Sequence, residues 1–173
     1  MGQGLNSASQ GQSLYTADER HRRDSTVWTL VQGILAPLQF AVFLVSLALV
    51  IRFLWTGQGA EAAIASVMLK TLILYVIMIT GSIWEKVVFG KYLFAKAFFW
   101  EDVVSMLVLA LHTAYLAAWF FNWGDTRIQM LIALAAYASY VINAGQFLLK
   151  LRMARLSAPS ASRTEFDNAE LAQ

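Results

Sequence analysis

Four long apolar stretches, separated by short polar ones, dominate the chain. The first, Val27 to Ile51, contains no charge, and the second, about Ala62 to Trp84, is interrupted only by Lys70. The third, Val103–Gly124, lies between Asp102 and Asp125, and the fourth, Ile128–Leu149, lies between Arg127 and Lys150. A bilayer core of about 30 Å needs roughly 20 apolar residues in a helix. The pattern therefore predicts an all-α, polytopic membrane protein: a four-transmembrane-helix bundle with spans near 28–54, 62–84, 103–124 and 128–149. Tryptophans at 28, 55, 84, 100 and 123 stand at span ends, as an interfacial belt requires.

Composition agrees. Of the 173 residues, 58% are hydrophobic and 14% charged, against about 25% charged in an ordinary soluble domain. This excludes a soluble globular enzyme and a disordered protein. The absence of cysteine excludes thiol chemistry, zinc-thiolate sites and a disulfide-stapled module. A net charge of +2 gives no reason to expect nucleic acid as a partner.

The basic residues set an orientation. Arg20, Arg22, Arg23, Lys86, Lys91, Lys96, Lys150, Arg152, Arg155 and Arg163 fall on one side, and only Arg52 and Arg127 on the other. The positive-inside rule then places both termini and the loop 85–102 in the cytoplasm. The first span follows a polar leader and is too long for a signal-peptide core, so it is expected to stay in the protein. The polar segments 1–26 and 157–173 are expected to be disordered.

Polar residues inside spans are costly and therefore informative. Gln32, Gln39 and Ser46 recur every seven residues on one face of the first helix, beside the helix-breaking Pro37. Thr71, Tyr75, Met78, Ser82 and Glu85 share a face of the second, where Lys70 is expected to snorkel outward. Glu101, Ser105, Val108, His112, Tyr115 and Trp119 form a stripe on the third, from a carboxylate at the mouth to a histidine near mid-membrane. Ser139, Asn143, Gln146 and Lys150 line the fourth, among small alanines that permit close helix approach. The loop EKVVFGKYLFAKAFFWED reads as an interfacial hairpin, with aromatic residues in the headgroup layer and carboxylates at both ends. Carboxyl groups at an apolar boundary have raised pKa values, which suits acid/base chemistry.

The sequence has no phosphate-binding glycine loop, nucleophile motif or metal-ligand cluster. One intramembrane histidine is too few for a bis-histidine haem, and no duplication suggests an inverted-repeat transporter. Spacing alone stops at a small membrane bundle with an acidic, aromatic cytoplasmic mouth.

The stretches TLVQGILAPLQFAVFLVSL (29–47), SIWEKVVFGKYLFAKAFFWEDVVSMLVLALHTAYL (82–116) and YVINAGQFLLKLRMARL (140–156) carry a further signal. They resemble the 2-vinyl bacteriochlorophyllide hydratase family over roughly residues 14–156. The resemblance implies a hydro-lyase of bacteriochlorophyll biosynthesis, in the cytoplasmic or intracytoplasmic photosynthetic membrane of a phototrophic bacterium. Its reaction adds water to the C3-vinyl group of chlorophyllide a, giving the 3-(1-hydroxyethyl) product. No cofactor is required, because the substrate carries its own magnesium. On this reading one carboxyl among Glu85, Glu101 and Asp102 protonates the vinyl group. A second carboxyl, with Tyr75 or Tyr115, orients and deprotonates the water. His112 ligates the substrate magnesium, holds a water or relays a proton. Lys86 and Lys91 pair with the propionate, and Ser105, Asn143 and Gln146 contact substrate. The partners implied are the pigment, membrane lipid and neighbouring enzymes of the pathway. The competing expectation is a pigment-binding carrier or assembly protein with the same pocket and no turnover.

Overall fold

The computed structural model describes residues 14–156. Five helices make up the fold: α1 Ala17–Ser25, α2 Val27–Thr56, α3 Ala60–Phe89, α4 Phe99–Phe120 and α5 Thr126–Leu156. No strand occurs among the described residues. The four long helices are each apolar enough to cross a bilayer. Even the shortest, α4 with 22 residues, rises about 33 Å, which matches the hydrocarbon thickness.

Short connections force neighbouring helices to run antiparallel. The tightest pairs are α2 with α3 and α4 with α5, and α5 also packs against α2 and α3. Phe43, Val50, Val67, Leu74, Val108, Met130, Ala133 and Tyr137 form the interior. The outward faces carry Leu38, Leu44, Leu69, Leu72, Ile79, Leu107, Leu131 and Ile142 in the open. Such a surface suits lipid and would associate in water.

Interhelical hydrogen bonds add to the packing. Gln32 Nε2 donates to Thr80 Oγ1 at 2.8 Å, and Ser46 joins both Ser66 of α3 and Tyr137 of α5. Gln32 and Asn143 thus bond between helices as expected of intramembrane amides.

Several expectations need correction. Part of the segment expected to be disordered, 1–26, is the helix α1. Thr16 and Glu19 form a reciprocal capping box, with Thr16 N donating to Glu19 Oε2 at 2.8 Å and Glu19 N to Thr16 Oγ1 at 3.3 Å. The remaining tail residues, 1–13 and 157–173, lie outside the described ones. The second span does not end at Trp84; α3 continues to Phe89, and α4 begins at Phe99. The expected hairpin of 85–102 is therefore only the loop 90–98. A helix keeps its own backbone bonds satisfied whether or not it carries charges, so Glu85 and Glu101 did not stop it. At the other end α4 stops at Phe120, short of the expected 124, because Asn122 and Gly124 take left-handed backbone angles.

Lys70 does not snorkel. It is fully buried, with its ammonium 3.9 Å from the centre of the Tyr140 ring. Its neighbours one turn away on the same face, Val67 and Leu74, are buried too, so the stem points inward. The α4 stripe is buried from Glu101 through Tyr115, but Trp119 leaves it and faces outward.

Candidate functional site

The site lies at the end of the bundle where α3 turns into α4, here termed the mouth. Gly90 ends α3 in the left-handed region (φ 81°) and donates its N–H to the Lys86 carbonyl. A side chain at this angle would cost roughly 1–2 kcal/mol. The reversal brings the last turn of α3 beside the first turn of α4. Glu85, Glu101 and Asp102 are all buried there.

The loop backbone holds two of these carboxylates. The Ala95 amide donates to Glu85 Oε2 at 3.3 Å, and the preceding amide, Phe94, donates to Asp102 Oδ2 at 2.7 Å. Glu85 and Asp102, held on these consecutive amides, lie close enough to act on each other electrostatically. One shared proton turns that contact from repulsion into attraction. The open N-terminal amides of α4 favour negative charge at Glu101 and Asp102.

Glu101 has a different partner. Lys150 Nζ of α5 meets its Oε2 at 2.6 Å, and the same ammonium stands 5.0 Å from the Phe98 ring centre. Asn143 Nδ2 donates to the Glu101 carbonyl at 2.9 Å and its Oδ1 accepts from Ser105 Oγ at 3.2 Å. Ser105, Asn143 and Lys150 thus tie α4 to α5 directly beneath the carboxyl pair.

An aromatic wall completes the mouth. Phe98 touches Trp84 at 5.7 Å, Phe89 at 5.8 Å and Phe147 at 5.8 Å between ring centres. Tyr15, just before α1, stacks on Phe89 at 5.7 Å with its ring nearly parallel. Arg22 Nε anchors α1 to the Val88 carbonyl at 3.0 Å, and the Arg23 guanidinium lies 4.7 Å from the Tyr15 ring centre. Burial pushes the Tyr15 phenol above its ordinary pKa, with Arg23 opposing, so it stays neutral at physiological pH.

The remaining expected residues lie elsewhere. Tyr75 is bonded to Thr113 Oγ1 at 2.8 Å, away from the carboxylates. Lys86 Nζ donates to the Gly90 carbonyl at 2.9 Å, and Lys91 is exposed on the loop. His112 and Tyr115 are buried deeper on α4. Eleven residues from Glu101 put His112 about 16 Å further along the axis. Gln146 is half-buried, with its Oε1 unpartnered. No group of three metal-ligating side chains occurs among the described residues.

Sequence reasoning missed Tyr15, Phe98 and Phe147 as parts of the site. Phe147 carried a usable signal, four residues after Asn143 and three before Lys150 on one helical face. Tyr15, in a polar leader, carried none.

Comparison with known proteins finds relatives over most of the chain. The family model of 2-vinyl bacteriochlorophyllide hydratase (BCHF) matches residues 15–153. A 2-vinyl bacteriochlorophyllide hydratase of Rhodobacter capsulatus is 70% identical over 148 residues, covering 86% of each chain. One of Cereibacter sphaeroides is 67% identical over 148 residues, covering 86% of this chain and 92% of the relative. No solved structure matches.

Proposed function

The chain belongs to the 2-vinyl bacteriochlorophyllide hydratase family, and we propose that it hydrates the C3-vinyl group of chlorophyllide a at the mouth. It is a hydratase of bacteriochlorophyll biosynthesis. In the proposed reaction, a hydro-lyase working in the direction of addition, the Glu85–Asp102 pair gives its proton to the terminal vinyl carbon. The π bond supplies the electrons for the new C–H bond, and the macrocycle spreads the resulting positive charge. Water then forms the C–O bond at the inner carbon and returns a proton to the pair. The sum is one pigment plus one water, with the carboxyl groups restored. Hydration of this kind transfers no electrons, so it calls for no redox cofactor, and the magnesium belongs to the substrate.

One observation carries this reading: two carboxyl groups, Glu85 and Asp102, sit side by side on consecutive loop amides beside a wall of aromatic rings. Trp84, Phe89 and Phe147, half-buried around the buried Phe98, offer the flat faces on which a macrocycle stacks. Glu101, held by Lys150, keeps the second turn of charges in place. Ser105 and Asn143 position Glu101 through its carbonyl. Lys86 and Lys91 at the exposed rim take the pigment's free propionate. We place the mouth on the cytoplasmic side of the inner or intracytoplasmic photosynthetic membrane, the side to which the sequence pattern assigns most of the basic residues. Pathway enzymes on that side would hand over the pigment.

The test incubates membranes containing the protein with chlorophyllide a and follows a product heavier by one water. Loss of the conjugated vinyl shifts the absorption to the blue. Tight pigment binding with no hydrated product would instead identify a carrier.

A further inference from the structure

The four long helices also meet in a second polar cluster, deep in the bundle, that the mouth does not use. Lys70 of α3 is fully buried, faces the Tyr140 ring of α5 and has no hydrogen-bond acceptor. His112 of α4 is fully buried as well, with Nδ1 2.8 Å from the Val108 carbonyl. A carbonyl only accepts, so Nδ1 carries the hydrogen, and Nε2 of the neutral ring is left as an acceptor. That Nε2 has no partner, and neither has the hydroxyl of Tyr115, one turn along the same helix. Tyr137 of α5 closes the group, its ring 5.8 Å from His112 and its hydroxyl bound to Ser46 of α2. The Lys70 charge is close enough to act on His112, and Tyr137 on Tyr115.

Three fully buried polar atoms without partners are costly, because each has given up its hydrogen bonds to water and gained none in the fold. The Tyr140 ring, 3.9 Å from the Lys70 nitrogen, offsets part of that cost. It meets the nitrogen from one side and leaves N–H donors over. The ligand that fits must accept from Lys70 and donate to His112. No group of three metal-ligating side chains occurs here among the described residues. A carboxylate or halide has no hydrogen for Nε2, and a macrocycle is far too large for side chains with no exposure. A water molecule does both, and buried water characteristically makes about three hydrogen bonds to such groups.

We propose that the bundle centre binds an internal water among Lys70, His112 and Tyr115. This site is separate from the mouth, about 16 Å along α4, and stands whether or not the vinyl chemistry is as proposed. The water satisfies a lysine nitrogen that the fold has drawn inside the membrane, and it joins α3 to α4 across the core. Lys70 is then a ligand of water, where the sequence alone makes it a residue escaping to the surface.

X-ray radiolytic footprinting of the full chain in lipid vesicles tests this, with heavy-oxygen water as the probe. Radicals formed from a bound water label the side chains that touch it. The expected result is heavy-oxygen label on His112 and Tyr115 despite their burial, alongside label on the exposed control Tyr92. In Lys70→Met, or in Lys70→Gln if the first variant does not fold, label at His112 and Tyr115 is lost while Tyr92 is unchanged. An unlabelled His112 and Tyr115 in the parent chain overturns the site. Undiminished label in the folded Lys70 variant overturns Lys70 as its ligand. Turnover is not measured, so neither result bears on the hydratase reading.

Discussion

Phe94 and Asp102 hold each other in place: the Phe94 amide donates to Asp102 Oδ2 at 2.7 Å, while Phe94 itself sits at φ 59°, in the left-handed region. A bulky residue there stores strain, of order 1–3 kcal/mol, which persists only because the carboxylate fixes the amide. The same bond aims Asp102 at Glu85. Strain in the loop and order in the carboxyl pair are thus one arrangement.

That arrangement predicts opposite effects for two substitutions. Phe94→Gly removes the strain and raises thermal stability in detergent, by about 1 kcal/mol. Asp102→Ala removes the acceptor and lowers it by about 1–3 kcal/mol. Equal destabilisation by both would show that the loop is not strained in this way.

The carboxyl pair predicts a separation of binding from turnover. Glu85→Gln and Asp102→Asn keep the size and hydrogen-bonding capacity of the site but cannot pass a proton. Turnover of chlorophyllide a is expected to fall about 10²–10⁴-fold in each, with pigment affinity little changed. Full activity in both variants would move the chemistry away from this pair.

Lys150 and Glu101 form a largely buried ion pair, 2.6 Å apart. Lys150→Met leaves Glu101 without its cation and is expected to cost about 3–5 kcal/mol. Lys150→Met combined with Glu101→Gln should recover most of that loss, because no charge is then stranded. Thermal unfolding of the two single variants and the double variant measures the coupling; strict additivity would mean that the pair contributes nothing.

Orientation can be read with single cysteines, since the native chain has none. An impermeant maleimide added to the cytoplasmic face is expected to label Lys96→Cys in the α3–α4 loop. It should miss Gln58→Cys in the α2–α3 turn until the membrane is opened. The reverse pattern would invert the assigned topology.

Tyr15 offers a test of the aromatic wall. Tyr15→Ala removes a ring stacked on Phe89, a contact of about 0.5–1.5 kcal/mol beyond its buried area. Trypsin is then expected to cut at Arg22 and Arg23 faster than in the parent chain. An unchanged rate would show that Tyr15 does not hold α1 down.

The sequence by itself determined the number and type of the spans, because a helix crossing a bilayer needs about twenty apolar residues, and it placed Glu85, Glu101 and Asp102 near their ends. Helical spacing also identified the α4 stripe as far as Tyr115. The Thr16–Glu19 capping box starts α1 where a polar composition predicts disorder. Tertiary structure decided the rest. Which carboxylates pair depends on the Gly90 reversal, and spacing within one helix carries no information about the side chains of another. Lys70 makes the point most sharply. Counted along the sequence, it is a charge that should leave the core. Inside the bundle, the Tyr140 ring and the unpartnered atoms of α4 make the core a polar place.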